Sequence, residues 1–203
     1  MKNKIIYLLG AALFLAAQVI LPGGAADAEE RLQIILQNKG AWVAGHAMIF
    51  LSFPLLMAGF ARLHEMARLL SPGQALFGLL FTLFGLTADA GIAGQQLFVS
   101  GMAESLSGEA VMQALAAGSA AQAVLTVVYL PYLLLLPGAL LLALPLFRVN
   151  GYRLLSIALL VFGALAVAGG LMQAKWVFVI AGVALAVAFW QIPGEKQGLA
   201  SLI

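Results

Sequence analysis

The chain has 203 residues, 64% of them hydrophobic and 9% charged, with a mean hydropathy of +1.06. Soluble domains carry about 25% charged residues, so lipid rather than water is the expected solvent for most of this surface. Ten Lys and Arg against eight Asp and Glu give a net charge of +2, which builds no basic face for nucleic acid, and the absence of cysteine excludes disulfide exchange, thiolate catalysis, Fe–S clusters and Cys-ligated zinc.

A helix needs about 20 apolar residues to cross a hydrocarbon layer about 30 Å thick. Such runs occur at about 5–22, 41–60, 75–99, 119–147, 154–171 and 175–191. The expected fold is an all-α integral membrane protein of about six transmembrane helices in one bundle, with residues 1–203 forming a single transmembrane domain. Placing the first end inside puts Lys2, Lys4, Arg62, Arg68, Arg148, Arg153 and Lys196 in the cytoplasm and leaves Arg31, Lys39 and Lys175 outside. That asymmetry satisfies the positive-inside rule and predicts an N-in/C-in, multi-pass protein of a bacterial-type plasma membrane, with the lipid bilayer as its first partner.

The first run has a second reading. Met1-Lys-Asn-Lys4, an apolar stretch and the small residues Gly23 to Ala28 also form a secretory signal with an Ala-x-Ala site. An apolar stretch of about 17 residues exceeds the 7–15 of a signal and favours a retained first helix; cleavage leaves five helices in the same orientation. Two outer loops are expected to be short and amphipathic. Residues 27–38 place Leu32, Ile35 and Leu36 on one side, the pattern of a helix lying in the interface, and residues 103–117 are expected to behave alike. On the inner side, Ala61 to Leu70 continues the second helix until Ser71-Pro-Gly73 turns the chain.

An unpaired polar group in hydrocarbon costs several kcal/mol, so polar residues within the runs carry the most information. On the third helix Thr82, Asp89 and Gln96 are spaced by seven and share a face, with Ser100 a turn beyond. On the fourth, Ser119, Gln122, Thr126 and Tyr129 form a second stripe. At 1.5 Å per residue, Asp89 and Tyr129 fall about 15 Å from the outer surface, Gln96 and Gln122 about 5 Å, and His46 about 8 Å. Gln18, Gln173, Lys175 and Trp176 are positioned for a rim. The expected site is a polar pocket opening outward and ending near Asp89, lined by His46, Asp89, Gln96, Gln122, Thr126 and Tyr129.

Gln and Thr in spans also serve as interhelical glue worth about 0.6–2 kcal/mol per contact, which is the competing reading of Thr82, Gln122 and Thr126. Asp89 differs, because an ionisable group at mid-depth costs at least about 2.5–3.5 kcal/mol to insert and no lysine or arginine shares its depth. His46 reads equally as an interfacial histidine bonded to a carbonyl. Pro131 and Pro137 interrupt the fourth helix below Tyr129, Pro54 the second below His46, and Gly85, Gly91 and Gly94 flank Asp89. Ala164 with Ala168 and Gly182 with Ala186 predict a tightly packed final hairpin.

No cofactor is expected. His46 and His64 lie about 27 Å apart along one helix, too far for bis-His haem, and zinc at His46 and Asp89 lacks a third strong ligand. Hydrolase and phosphate-loop motifs are absent, as is an intramembrane lysine for a retinal pigment. In layout, with six helices, both ends inside, an outward pocket and Ala12-x-x-x-Ala16 on the first helix, the chain resembles the substrate-binding subunits of energy-coupling-factor vitamin importers. The resemblance is one of architecture and assigns no residue. The leading expectation is a protein that binds or translocates a small molecule or ion; the second is a non-catalytic subunit packed against partner membrane subunits. An intramembrane enzyme using Asp89 and His46 requires them within about 3 Å, against an expected depth difference of about 7 Å.

Overall fold

The computed structural model describes residues 2–23, 28–105, 109–110, 113, 130–172 and 174–193. Among these residues all regular structure is helical: α1 (Lys2–Ile20), α2 (Ala28–Gln37), α3 (Lys39–Arg68), α4 (Pro72–Ser105), a 3₁₀ segment (Leu130–Leu134) leading into α5 (Leu135–Phe147), α6 (Arg153–Met172) and α7 (Lys175–Gln191). Three of these, α3, α4 and α6, are long and apolar enough to cross a membrane, and α1, α5 and α7 are shorter apolar helices.

The helices follow the apolar runs with instructive departures. α3 continues through Arg62, Glu65 and Arg68 into polar sequence before Ser71 and Pro72 turn the chain, as expected, with Arg62 and Glu65 paired one turn apart. It also passes Pro54 unbroken. Over Leu130–Leu134, which contains Pro131, the backbone takes 3₁₀ geometry, and Pro137 falls in the first turn of α5, where a missing backbone donor is tolerated. α4 outlasts its expected end by six residues, reaching Ser105 instead of stopping near 99, and the remainder of the expected loop helix falls mostly outside the described residues.

Apart from α2, the described helices pack in a closed ring: α1 on α3, α3 on α4, α4 on α5, α5 on α6, α6 on α7, and α7 back on α1. Small residues set these crossings. A Cβ at Gly10 would meet Leu55, one at Gly85 Leu135, one at Gly163 Ala139, one at Gly169 Phe178 and one at Gly182 Leu15. The ring's core is aromatic where α1, α3 and α7 converge: Phe189 meets Tyr7 and Phe60 edge-on, each at 5.5 Å between centroids, and Gly59 lies beneath the Phe189 ring. The final hairpin forms, but not through the expected pairs. Ala164 is exposed and Gly182 faces α1, so Gly169 against Phe178 supplies the close approach between α6 and α7.

Large apolar side chains point away from the ring on every side, including Ile5, Phe50, Phe84, Leu140, Ile157 and Val183. A water-facing surface would bury such groups; hydrocarbon solvates them. Trp176 and Trp190 project from opposite ends of α7, 70% and 64% exposed, beneath the ammonium groups of Lys175 and Lys4 at 5.8 and 5.1 Å. Paired tryptophan and lysine at both ends of an apolar helix suit the two faces of a bilayer. Trp176 therefore stands outside the bundle, not on the rim expected for it.

α2 lies across the neighbouring ends of α3 and α4, with Ile35 packed on Trp42 and Val99. Leu32 and Ile35 are buried as the amphipathic pattern predicts, whereas Leu36 is turned outward, 57% exposed.

Candidate functional site

The short connection at Ser71 makes α3 and α4 antiparallel, which brings the start of α3 beside the end of α4. There Trp42 donates its indole N–H to the main-chain oxygen of Gln96 at 3.4 Å. One turn on, His46 Nδ1 lies 2.8 Å from the Trp42 carbonyl oxygen. A carbonyl accepts only, so Nδ1 carries the proton and Nε2 is the acceptor of a neutral His46. The two rings lie 4.6 Å apart, tilted by 46°, so the histidine is fixed by a bond and a ring contact on one helix.

Gln96 is 8% exposed, and its Oε1 is buried without a hydrogen-bond partner among the described residues. Leaving such an acceptor unmatched costs about 1–3 kcal/mol. The layer is closed above by Ile35 of α2 and below by Ile49, Ala93 and Ala17 of α1, with Met48 and Leu21 against them.

Asp89 lies two turns below Gln96 on α4 and is half-buried. The pairing of Trp42 with Gln96 and of Ile49 with Ala93 sets the antiparallel register, in which Asp89 is offset from His46 by about 7 Å along the helix axes. Asp89 has no ion pair among the described residues. Its electrostatic neighbour is Tyr132, in the 3₁₀ segment. Tyr132 is itself anchored, donating its hydroxyl to the Ala166 oxygen of α6 at 2.7 Å, with Gly170 making room for its ring.

The heptad spacing of Thr82, Asp89 and Gln96 hides a slow rotation. Each seven residues of straight helix fall about 20° short of two full turns. Thr82 consequently meets α5 at Gly138, while Gln96 meets α3 at Trp42, and Asp89 sits between. Thr82 spends its hydroxyl on Gly78 of its own helix at 2.8 Å, and Ser100 on Leu97 at 2.7 Å, so both are structural.

Of the expected lining, His46 follows Trp42 by one turn on α3, the Gln96 main chain meets Trp42 from α4, and Asp89 lies two turns from Gln96 with Tyr132 as its electrostatic neighbour, while Gln122, Thr126 and Tyr129 lie outside the described residues. Gln18 is buried on α1. Sequence reasoning passed over Trp42 and Tyr132. Trp42 lies four residues before His46, the spacing that stacks two side chains on one helix face, and Tyr132 follows Tyr129 by three. Among the described residues no three His, Asp or Glu side chains converge as a metal site. No family model, curated protein or solved structure matches the chain.

Proposed function

We propose that the chain is a six-span, N-in/C-in membrane protein that binds or translocates a small molecule or ion in an outward-opening site formed by His46, Gln96 and Asp89, with Gln122, Thr126 and Tyr129 from the neighbouring helix. The observation that carries this reading is the buried Gln96 Oε1 without a described partner, on a helix whose Gln96 main-chain oxygen is held by Trp42, one turn from His46. A buried acceptor without a described partner, two turns from a carboxylate without a described counter-charge, is costly unless a ligand or water meets it. The excess of Lys and Arg on the inner connections supports the orientation, and the tryptophan at each end of α7 supports a helix that spans the bilayer.

Native mass spectrometry of gently extracted protein tests the reading. A retained small molecule is expected in the unmodified chain and absent from a Gln96→Leu, His46→Ala variant; equal retention by both removes the site. Single cysteines suit the orientation test, since the chain has none of its own. Cysteine at Gly151 is expected to react with an impermeant thiol reagent only from the inside, and cysteine at Gly40 only from the outside.

The second reading, a subunit of a larger membrane complex, is favoured by one observation. Thr87, Gly91 and Gln95 form an exposed small and polar series on α4 among the described residues. A co-extracted protein with no small molecule would select it.

A further inference from the structure

The hairpin of α5 and α6 ends in two arginines that the fold itself does not use. Arg148 follows the last residue of α5, and Arg153 opens α6. The turn between them is tight: the Tyr152 N–H is donated to the Val149 oxygen at 3.1 Å, and Gly151 takes a φ of +98° that favours glycine. Both arginines are exposed, and neither has an ion pair or a side-chain hydrogen bond among the described residues.

No acid of the hairpin can serve them, because the chain holds no Asp or Glu from Ala110 to Gly194. Glu65 is the described acid at this end of the bundle, and it is paired with Arg62 on its own helix. Glu195 lies outside the described residues. α6 packs antiparallel to α7, so Arg153 stands beside the α7 end that carries Trp190 under the Lys4 ammonium. A tryptophan and lysine pair marks the depth of lipid head groups, where an arginine meets phosphate rather than hydrocarbon.

The surface adjoining the arginines on the bilayer side is apolar. Leu140, Leu144 and Phe147 form an exposed stripe on α5, and Ile157, one turn from Arg153, is exposed on α6. Neighbouring helices thus present a face suited to acyl chains, ending in two permanently charged groups whose planar fork matches phosphate oxygens. Inorganic phosphate would engage the arginines alone, whereas a phospholipid engages both parts. A zwitterionic lipid brings its own cation to the phosphate; an anionic one leaves that charge to be met by the protein.

We propose that this corner binds an anionic phospholipid, its phosphodiester held by Arg148 and Arg153 and its acyl chains lying along the outer faces of α5 and α6. The site is separate from the layer around Gln96 and depends neither on what that layer holds nor on which end of the bundle faces the cytoplasm.

The test offers the full chain, in mild detergent micelles, equal amounts of dioleoyl phosphatidylglycerol and dioleoyl phosphatidylcholine and reads the retained lipid by native mass spectrometry. The unmodified chain is expected to keep the anionic lipid at least fivefold over the zwitterionic one. A double variant with Arg148→Gln and Arg153→Gln should lose that preference, whereas Arg148→Lys with Arg153→Lys should keep most of it, which separates loss of charge from loss of fold. Arg68→Gln should leave it unchanged, since α3 carries Arg68 past the bilayer level, and sn-glycerol 3-phosphate, a head group without chains, should not compete. Equal retention of the two lipids by the unmodified chain, or a preference that survives in the glutamine double variant, overturns the site. Displacement of the lipid by an equal concentration of glycerol phosphate overturns the lipid in favour of a soluble phosphate.

Discussion

Tyr132 of the 3₁₀ segment reaches across to α6 and donates its hydroxyl to the main-chain oxygen of Ala166, 2.7 Å away. This bond links two neighbouring helices, whereas the hydroxyls of Ser52, Thr82, Thr87, Ser100 and Ser156 each return to a carbonyl on their own helix or just before it. Tyr132→Phe removes it and leaves the Ala166 carbonyl within its helix. The expected loss is about 1 kcal/mol, within the range of hydrogen bonds between membrane helices, read as the shift in an unfolding transition in mixed micelles. A loss near zero would mean that the Tyr132 ring, seated against Gly170, does all the holding.

Gly138 and Gly91 offer a matched pair of helix glycines. An added methyl at Gly138 would lie 2.5 Å from Thr82 Oγ1 and 2.7 Å from the Thr82 nitrogen, which belongs to backbone and has nowhere to go. At Gly91 nothing described lies within 4 Å. Gly138→Ala is therefore expected to cost about 1–3 kcal/mol by overpacking, and Gly91→Ala to be neutral or to gain up to about 1 kcal/mol of helix propensity. Thermal unfolding of the two variants checks both. A loss at Gly91 as large as at Gly138 would place a packed partner on that face of α4.

The three tryptophans report on different surroundings. Trp42 is 8% exposed and bonded to Gln96, while Trp176 and Trp190 project from the ring. In vesicles with brominated acyl chains, Trp176 and Trp190 are expected to lose most of their emission, and the residual blue-shifted signal to belong to Trp42. A Trp42→Phe variant should then be quenched almost completely; unchanged residual emission in it contradicts the burial of Trp42.

Ile35 is the main buried side chain tying α2 to α3 and α4, 1% exposed between Trp42 and Val99. Ile35→Ala removes that hold, at about 2–4 kcal/mol for a buried isoleucine, a loss the short α2 cannot absorb. The expected outcome is faster amide hydrogen exchange across 28–37 with the ring helices unchanged. If exchange rises throughout the ring instead, α2 is integral to the fold and not a separable cap.

Periodicity and apolar length reveal the helices because each run has to be long enough and apolar enough for itself. The expected run 175–191 and helix Lys175–Gln191 coincide for this reason. α4 ran past its expected end because Gly101, Met102 and Ala103 are compatible with helix although the hydropathy has already fallen. Which residues meet across helices is a different kind of information. The seven-residue spacing put Thr82 and Gln96 on one face, and only the packing shows that they serve different neighbours, α5 and α3. Tyr132 and Trp42 were passed over, Tyr132 in an apolar run and Trp42 near a helix end, because an aromatic in such sequence looks alike whether it faces lipid or another helix. Asp89 stood out from the start, since a carboxyl so deep has few alternative explanations.

The closing of the ring by α7 on α1 also bears on how the protein is made. α1 and α7 stand at opposite ends of the described helices, yet Leu15 lies against Gly182 and Lys4 donates to the Trp190 carbonyl at 2.6 Å. During synthesis α1 meets α3 early, but its flank for α7 stays uncovered until α7 itself has been made. Among the described helices, α7 is thus the one that closes the ring. A chain halted before Lys175 leaves Phe60 and Tyr7 without the Phe189 ring that covers them, an unfinished seam of the kind that membrane quality control is built to detect.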